Sequence, residues 1–376
     1  MKKTLIIKFI KDTFKLFVMI SLTLGLIVWV IQAVNFLDFV TEDGHGFKVY
    51  FLYTFFNFPK IIHRILPFVF FISLFYQIIK YEKNNELLIL WTNGIKKFQF
   101  INIVILYSLV ILVFQILLGS YISPKAQNES RSYIRSSNVD FFPSLIKEGK
   151  FIDTLAGVTI FIDSKDELGN YKNIFLKDTS INNGLEDSYQ VIYAKSGYLT
   201  NENSEKIFVF NNGEIINKEN NKITNFTFDK INYNLEKYQS KSSGYQKLQE
   251  VPIKDLYNCL YLNSKNEINK FKAEYLQCKQ ETMNDIQQEF LKRTYKPIYL
   301  PLIGLMCGLI IMRSKENNNY NKFNFFLFLL IFFILIISEI SLRFSTGSQV
   351  GLLFFTLFPL LLFSALYTTL IIKKNL

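Results

Sequence analysis

The sequence contains six long apolar runs, three before and three after a polar insert at about residues 125–296. The run between Lys15 and Asp38 has twenty-two residues without a charge, and the run between Lys97 and Lys125 has twenty-seven. A helix needs roughly 20 apolar residues to cross a hydrocarbon core of about 30 Å. The other four runs lie at about 58–79, 297–313, 323–342 and 350–372. The sequence therefore predicts six transmembrane helices. We expect the first to stay in the protein, because it is longer than the apolar part of a signal peptide.

The distribution of charge predicts the orientation of these helices. The net charge of +11 would indicate a nucleic-acid partner in a soluble chain. Only 19% of the residues are charged, however, against about 25% in soluble domains. The short segments beside the apolar runs on one side of the membrane hold fourteen Lys and Arg, and those on the opposite side hold four. The insert holds 24 Lys and Arg against 23 Asp and Glu. Because Lys and Arg concentrate on the cytoplasmic side of membrane proteins, we expect both termini there and the insert outside.

The insert has the pattern of a β domain. Val158, Ile160 and Ile162 alternate with other residues at period two, and similar short runs follow. The segment Asn211-Asn212-Gly213 predicts a hairpin turn. Several short strands with regular turns are typical of a sandwich or jelly roll. We therefore predict an α-helical membrane protein with six transmembrane helices (3+3) and an inserted periplasmic β-jellyroll domain. The predicted parts are helices one to three over 1–124, the β domain over 125–252, a helical return segment over 253–296, and helices four to six over 297–376.

Several classes of chemistry lack their motifs in this chain. There is no G-x-x-x-x-G-K-[ST], G-x-S-x-G or H-E-x-x-H, and the insert has no His at all. We predict no catalytic residues, no metal site and no cofactor bound by the chain itself. Cys259 and Cys278 are separated by eighteen residues. The spacing leaves a disulfide open, and we expect the two cysteines to be unpaired.

The loop between the second and third runs, at about 82–94, predicts a short helix. Leu87, Leu88, Leu90 and Trp91 have the spacing of one apolar face, and Gly94 fits the end of the helix. Such a helix can lie in the lipid interface or can insert into a groove on a partner protein. The pattern alone leaves both possibilities open.

The order of these segments resembles a known family. The segment "NNELLILWTNGI" after the second run and "EFLKRTYKP" before the fourth look like those of the lipopolysaccharide export permeases, the LptF and LptG family, over essentially the whole chain. The resemblance implies that Glu86 engages a separate ATPase and that Gly94 ends the coupling helix. It also implies that the family's Glu-x-x-x-Arg-x-x-x-Pro pattern falls on Glu289, Arg293 and Pro297. The remaining coupling residues would be Leu87, Leu90 and Trp91.

The resemblance also implies a function and a set of partners. The chain would be a permease subunit, not an enzyme, that works with a second permease, an LptB-like ATPase dimer that uses ATP and Mg²⁺, and an LptC-like bridge protein. It would extract lipopolysaccharide from the inner membrane and pass it through the β domain. The segment "LIKEGKFIDTLAGVTIFID" favours LptF over LptG.

Three cations are candidates for the outer rim of the lipid cavity. Lys60, Arg64 and Arg343 would meet lipid A phosphates through charge-assisted hydrogen bonds. Lys60 and Arg64 could instead extend to lipid headgroups, and Arg343 could pair with Glu339 four residues earlier on one helix face.

Three other functions are alternatives to the export permease. A membrane-anchored sensor or assembly factor would use the β domain to bind a partner and would need no coupling helix. Another ABC-linked lipid or lipoprotein permease would carry its large domain after the first helix. An enzyme acting on lipid would need a pair of carboxylates near the rim, where Glu339 has no second carboxylate beside it in the sequence. The 3+3 division and the short helix favour the export permease.

Overall fold

The computed structural model of the protein describes most of the chain, and its gaps fall mainly in the insert. The described residues are 2–37, 40, 46–137, 148–155, 157–166, 170–179, 188–202, 205–219, 222–234, 247–265, 267, 271, 276, 278–346 and 348–375. The helices before the sheet are α1 (Lys2–Asn35), α2 (Phe47–Phe56), α3 (Phe58–Lys83), α4 (Glu86–Thr92), α5 (Lys97–Leu117) and α6 (Ser123–Ser137), with a π-helical turn at Leu118–Ile122. The helices after the sheet are α7 (Ile253–Ser264), α8 (Met283–Thr294), α9 (Tyr299–Gly308), α10 (Tyr320–Phe344) and α11 (Gln349–Asn375).

Within the described residues, six helical segments are long and apolar enough to cross a membrane, as the predicted fold class requires. In chain order, spans one to six are Lys2–Asn35, Phe47–Lys83, Lys97–Ile134, Gln280–Met312, Tyr320–Phe344 and Gln349–Ile372. Several continue beyond the apolar runs of the sequence, because a helix already satisfies its own backbone hydrogen bonds and can extend past the hydrocarbon. Residues 125–137, for example, continue span three as helix.

Span four is the most buried of the six, and small residues bring it close to span three. All ten residues of α9 are buried. A Cβ on Gly304 would lie 2.9 Å from Cβ of Ser108, and one on Gly308 would lie 3.3 Å from Ile101. The two glycines thus allow the close approach that their spacing of four predicts.

Span one, in contrast, packs against the rest of the chain along a narrow stripe of residues. Its buried residues recur once in every four positions: Phe9, Thr13, Phe17, Ser21 and Gly25. Most other large apolar side chains on the helix are exposed within this chain. Span six is exposed to a similar degree. Both helices therefore leave broad apolar surfaces for lipid or another subunit.

Contacts divide the chain into two units. The first comprises residues 1–30, 57–128 and 247–376, and the second comprises 31–56 and 129–246.

The described part of the insert forms a six-stranded antiparallel sheet with its strands in sequence order. Its strands are β1 (Lys150–Leu155), β2 (Val158–Lys165), β3 (Tyr171–Asp178), β4 (Tyr189–Glu202), β5 (Glu205–Glu219) and β6 (Lys222–Asn234). The predicted inserted β domain is therefore present.

The long strands β4 to β6 fold back over β3. The register places Asp178 of β3 level with Gln190, Asn217 and Thr224 on the next three strands. Tyr233 lies nine residues beyond Thr224 on β6, which in a flat strand would be about 30 Å away. Its hydroxyl nevertheless donates a hydrogen bond to Oδ2 of Asp178 at 2.7 Å. The far ends of the long strands therefore form a second layer over β3.

The domain core lies between these layers. Phe208 and Phe210 are fully buried there, and the ring of Phe208 lies 5.5 Å from that of Tyr171 across the fold. The other buried members of the core are Val158, Ile160, Ile162, Ile174, Leu176, Ile192, Ala194, Ile215 and Tyr233.

The hairpin predicted at Asn211-Asn212-Gly213 is wrong. The strand β5 continues through this segment, with Asn211 opposite Ser196 and Gly213 opposite Ala194. Asn212 has a φ of 50°, and a Cβ on Gly213 would lie 2.0 Å from the carbonyl oxygen of Tyr193. A bend inside a strand and a tight turn both need a left-handed residue and a glycine. Local sequence could not distinguish them.

The return segment carries a second correction. Cys259 and Cys278 form a disulfide, with their Cα atoms 5.8 Å apart. Cys259 is fully buried on the inner face of α7, in a small core with Leu256, Met283 and Ile286. This core brings the chain before α8 against α7 and so places the second cysteine beside the first. The prediction of unpaired cysteines is therefore wrong, since sequence spacing alone does not show this packing.

Candidate functional site

The loop between spans two and three folds into the short helix α4, which has a well-defined C-terminal end. The backbone N–H of Gly94 donates to the carbonyl of Trp91 at 2.9 Å, and that of Ile95 donates to the carbonyl of Leu90 at 3.1 Å. This pair of bonds is the Schellman motif. Gly94 has a φ of +74°, the left-handed conformation that the motif requires of its glycine. The structure therefore explains why a glycine stands at this position.

The apolar residues of α4 face two directions. Leu87 and Leu90 are buried in the membrane-domain core, where they anchor the helix. Leu88 and Ile89 are 57% and 50% exposed. Trp91 lies between, with its ring 5.8 Å from that of Phe100.

The prediction that Leu88 shares one face with Leu87 and Leu90 is wrong. On a helix, a residue adjacent in sequence is rotated by about 100°, and only one side of this short helix meets the core. The side chains available to a partner are therefore Leu88 and Ile89.

Glu86 stands at the beginning of α4 and is held from two sides. Its Oε2 accepts a hydrogen bond from Nζ of Lys8 at 3.1 Å, and its Oε1 accepts one from the side chain of Asn84 at 3.4 Å. The carboxylate is about one quarter exposed. A carboxylate at a helix N-terminus is also stabilised by the helix dipole. Glu86 is thus ordered and still accessible.

A groove runs beside the exposed side of α4. Nζ of Lys315 in the loop after span four donates a hydrogen bond to the side chain of Asn85, which joins this loop to the N-terminus of α4. The groove is lined by Glu82, Asn85, Leu88, Trp91, Lys97, Ile311, Ser314, Lys315 and Glu316.

A second cluster lies where spans two, three and four meet. Of the predicted rim cations, Lys60 and Arg64 line the same small cavity as Glu289 and Arg293 of the span-four motif. The other lining residues are His63, Gly119, Ser123, Gln127, Gln249 and Lys292. The structure therefore brings together the predicted rim cations Lys60 and Arg64 and the predicted span-four motif, which the sequence analysis treated as separate sites.

Arg293 is the most buried charge in this cluster, at 2% exposure. Its Nε donates to Oε1 of Glu289 at 2.8 Å, its Nη1 donates to the carbonyl of Val251 at 2.7 Å, and its Nη2 donates to that of Leu248 at 2.9 Å. Lys292 adds a second cation to Glu289 at 3.1 Å. Arg293 therefore ties the start of span four to the chain that returns from the sheet. Pro297 follows at the first residues of a 3₁₀ turn, where the missing N–H of a proline is tolerated.

The third predicted rim cation lies apart from the cavity. Arg343 is exposed and does not line it. The proposed pairing of Arg343 with Glu339 is wrong, because Glu339 instead accepts a hydrogen bond from Nζ of Lys296 at the start of span four. Helix periodicity predicts neighbours within one helix only, whereas this contact joins two spans.

Sequence reasoning missed Lys292, which lines the cavity, and Lys296, which pairs with Glu339. Both precede the fourth apolar run by less than two helical turns, which was the available signal. His63 packs on Gly119, and its Nδ1 is buried without a hydrogen-bond partner in the described part of the chain. Among the described residues, no group of three or more His, Cys, Asp or Glu could hold a metal ion.

Comparison with known proteins identifies the family. The family model described as "Lipopolysaccharide export system permease LptF/LptG" matches residues 9–373. The uncharacterized protein RP871 of Rickettsia prowazekii (strain Madrid E) is 26% identical over 239 residues, which cover 62% of this chain and 64% of that protein. The match with this relative thus spans less than two thirds of its length. The family match, in contrast, includes most of span one, all of spans two to six and the sheet. The chain therefore belongs to the lipopolysaccharide export system permease LptF/LptG family.

Proposed function

We propose that this permease is driven by a separate ATPase that docks on α4. The observation that carries the proposal is the division of the helix into an anchored side and an exposed side. Leu87, Leu90 and the glycine turn fix α4 to the membrane domain, whereas Leu88 and Ile89 project from it. A short helix held at both ends can transmit the movement of a protein that grips its exposed side. The ATP and Mg²⁺ would be bound by an LptB-like ATPase dimer.

The cationic cluster supports a role in binding the lipid. Lys60, Arg64 and Lys292 lie around one cavity with only Glu289 as a carboxylate among its lining residues. Arg293 already has three hydrogen bonds, so we assign it a structural role. The remaining cations could meet lipid A phosphates by charge-assisted hydrogen bonds. The exposed Arg343 would contact phosphate from a separate position.

The β domain would receive the lipid after extraction. Its two layers enclose an apolar core in which Phe208 and Phe210 are buried. We propose that acyl chains pass between these layers toward an LptC-like bridge protein. The broad exposed apolar surfaces of spans one and six suit a second permease of the family, and the sequence segment 145–163 supports the LptF side.

The proposed location is the bacterial inner membrane, with both termini cytoplasmic and the β domain periplasmic. The fourteen cations on one set of flanks support this orientation. The Cys259–Cys278 disulfide gives independent support, because disulfides persist in oxidising compartments such as the periplasm.

The test of docking is to change the exposed side of α4 and leave its anchors intact. We expect Glu86→Lys, and separately the double change Leu88→Ala with Ile89→Ala, to leave the protein inserted but to weaken co-purification with the ATPase. Loss of a few contacts at an interface centre costs about 1–4 kcal/mol each, or roughly tenfold or more in affinity. The matched control is Leu106→Ala, since Leu106 is 63% exposed on span three.

Normal ATPase binding and normal lipopolysaccharide export by both α4 variants would contradict the proposal. Absence of any ATPase or second permease in mild detergent extracts of the wild type would instead favour a sensor or assembly factor.

A further inference from the structure

Four contacts attach the cytoplasmic end of span one to α4, to the turn that follows α4 and to the last turn of α3. Nζ of Lys2 donates to the carbonyl of Gly94 at 3.3 Å, and Lys8 pairs with Glu86 at 3.1 Å. The ring of Phe9 meets that of Tyr81 edge to face at 5.2 Å. Finally, the hydroxyl of Tyr81 donates a hydrogen bond to Oδ2 of Asp12 at 2.5 Å. We call this set of contacts the α1 clamp.

The contacts of the clamp differ in strength. The Lys8–Glu86 pair and the Lys2 contact are on the surface, where such interactions contribute little. Phe9 and Tyr81, in contrast, are 1% and 4% exposed. A short hydrogen bond to a carboxylate is about twice as strong as a neutral one, and more so near a buried ring. The Asp12–Tyr81 bond and its ring contact therefore dominate the clamp.

The position of Tyr81 connects the α1 clamp to α4. Tyr81 lies in the last turn of α3, five residues before Glu86, and α4 follows after a two-residue turn. A displacement of α4 therefore reaches Tyr81 through a short piece of ordered chain. Beyond Phe17, the buried residues of span one are the small Ser21 and Gly25, and the carbonyl of Ala33 accepts a hydrogen bond from the hydroxyl of Tyr50 at 2.8 Å. The α1 clamp therefore acts on the end of span one that lies beside α4.

We propose that Asp12 and Tyr81 are positioning residues that transmit displacement of α4 into span one. This inference rests on the proposed docking of an ATPase at α4 and adds the route by which its movement enters the membrane. When α4 is displaced, the Tyr81 hydroxyl carries the Asp12 carboxylate with it, and the end of span one follows. Without this bond, the ATPase still docks and hydrolyses ATP, but span one lags behind.

The test is Tyr81→Phe, which removes one hydroxyl and keeps the buried ring. Tyr76→Phe is the matched control, because Tyr76 lies on the same helix and is 53% exposed. The full complex is reconstituted in proteoliposomes, and the lipopolysaccharide transferred per ATP hydrolysed is measured. We expect this ratio to fall about tenfold in Tyr81→Phe, with ATPase co-purification unchanged. The ratio in Tyr76→Phe stays at the wild-type value.

Two further variants separate transmission from simple stabilisation. Asp12→Asn lowers the same ratio, and the double variant with Tyr81→Phe falls no further than the worse single variant, because the two act through one bond. A ratio in Tyr81→Phe equal to that in Tyr76→Phe would overturn the inference, even if the melting temperature fell. A wild-type complex that binds no ATPase would refute the docking proposal on which the inference depends.

Discussion

Arg293 offers the sharpest test of how the structure is held together. We expect Arg293→Met to destabilise the protein strongly, although methionine fills much of the same volume. The guanidinium is 2% exposed and makes three hydrogen bonds of 2.7 to 2.9 Å, one to Glu289 and two to backbone carbonyls. Its removal leaves two carbonyls without that donor and a largely buried carboxylate with one cation fewer.

The expected loss of stability depends on the interactions of Glu289 that remain after the substitution. Breaking a buried ion pair by removing one partner costs about 3–5 kcal/mol. Lys292 stays 3.1 Å from Glu289, so the lower end applies and we expect about 3 kcal/mol. On the scale of soluble domains, this lowers the melting temperature by on the order of 5–10 °C. The assay is thermal unfolding of the purified protein in detergent, followed by size-exclusion of the fraction that remains folded.

A second variant tests whether the loss of stability in Arg293→Met is electrostatic in origin. Glu289→Gln added to Arg293→Met removes the carboxylate that has lost one of its two cations, so the double variant should be more stable than Arg293→Met by about 1 kcal/mol. Arg343→Met is the control, because Arg343 is exposed and its loss should change stability by no more than about 0.5 kcal/mol. Equal stability of Arg293→Met and Arg343→Met would refute the anchoring role. A double variant less stable than Arg293→Met would refute the electrostatic explanation.

Two other predictions test close packing and the disulfide. Gly119→Ala places a Cβ 2.4 Å from Cε1 of His63, so we expect a loss of about 1–3 kcal/mol in thermal unfolding, and most of that loss should disappear when His63→Ala is added. If the alanine is tolerated with His63 present, the close contact is not a constraint. Cys259→Ser should cost about 3 kcal/mol, since the bond joins residues 19 apart, and Cys278 should then become accessible to a thiol-specific reagent without prior reduction. Labelling of the unreduced wild type at both positions would show that the bond does not form.

Helix periodicity and strand alternation predicted the elements well, but not which side of an element meets a partner. The apolar residues of α4 illustrate the limit, since Leu87 is buried and Leu88 is exposed. In so short a helix, several orientations bury a similar apolar area, and contact with the core selects one of them. The same is true of Glu339, which pairs with Lys296 on another span rather than with Arg343 on its own.

The sheet illustrates a different limit. The sequence predicted strands and an inserted domain, but it read the Asn212-Gly213 bend as a hairpin. Whether a strand bends or turns back depends on the strands beside it, and β5 is paired on both sides at Asn211 and at Gly213, the residues that flank the bend. The fold of the long strands over β3 is therefore a property of the whole sheet.

The sequence by itself determined the six spans, the 3+3 division and the asymmetry of charge, because these depend on the free energy of placing each side chain in lipid or in water. That free energy is largely a property of the residue and its near neighbours. Only the tertiary structure decided which charges share a site. It brought Lys60 and Arg64 to Glu289 and Arg293, paired Cys259 with Cys278, and joined Asp12 to Tyr81. Such contacts join residues far apart in the chain, and their energies depend on distances of a few ångströms that only packing sets.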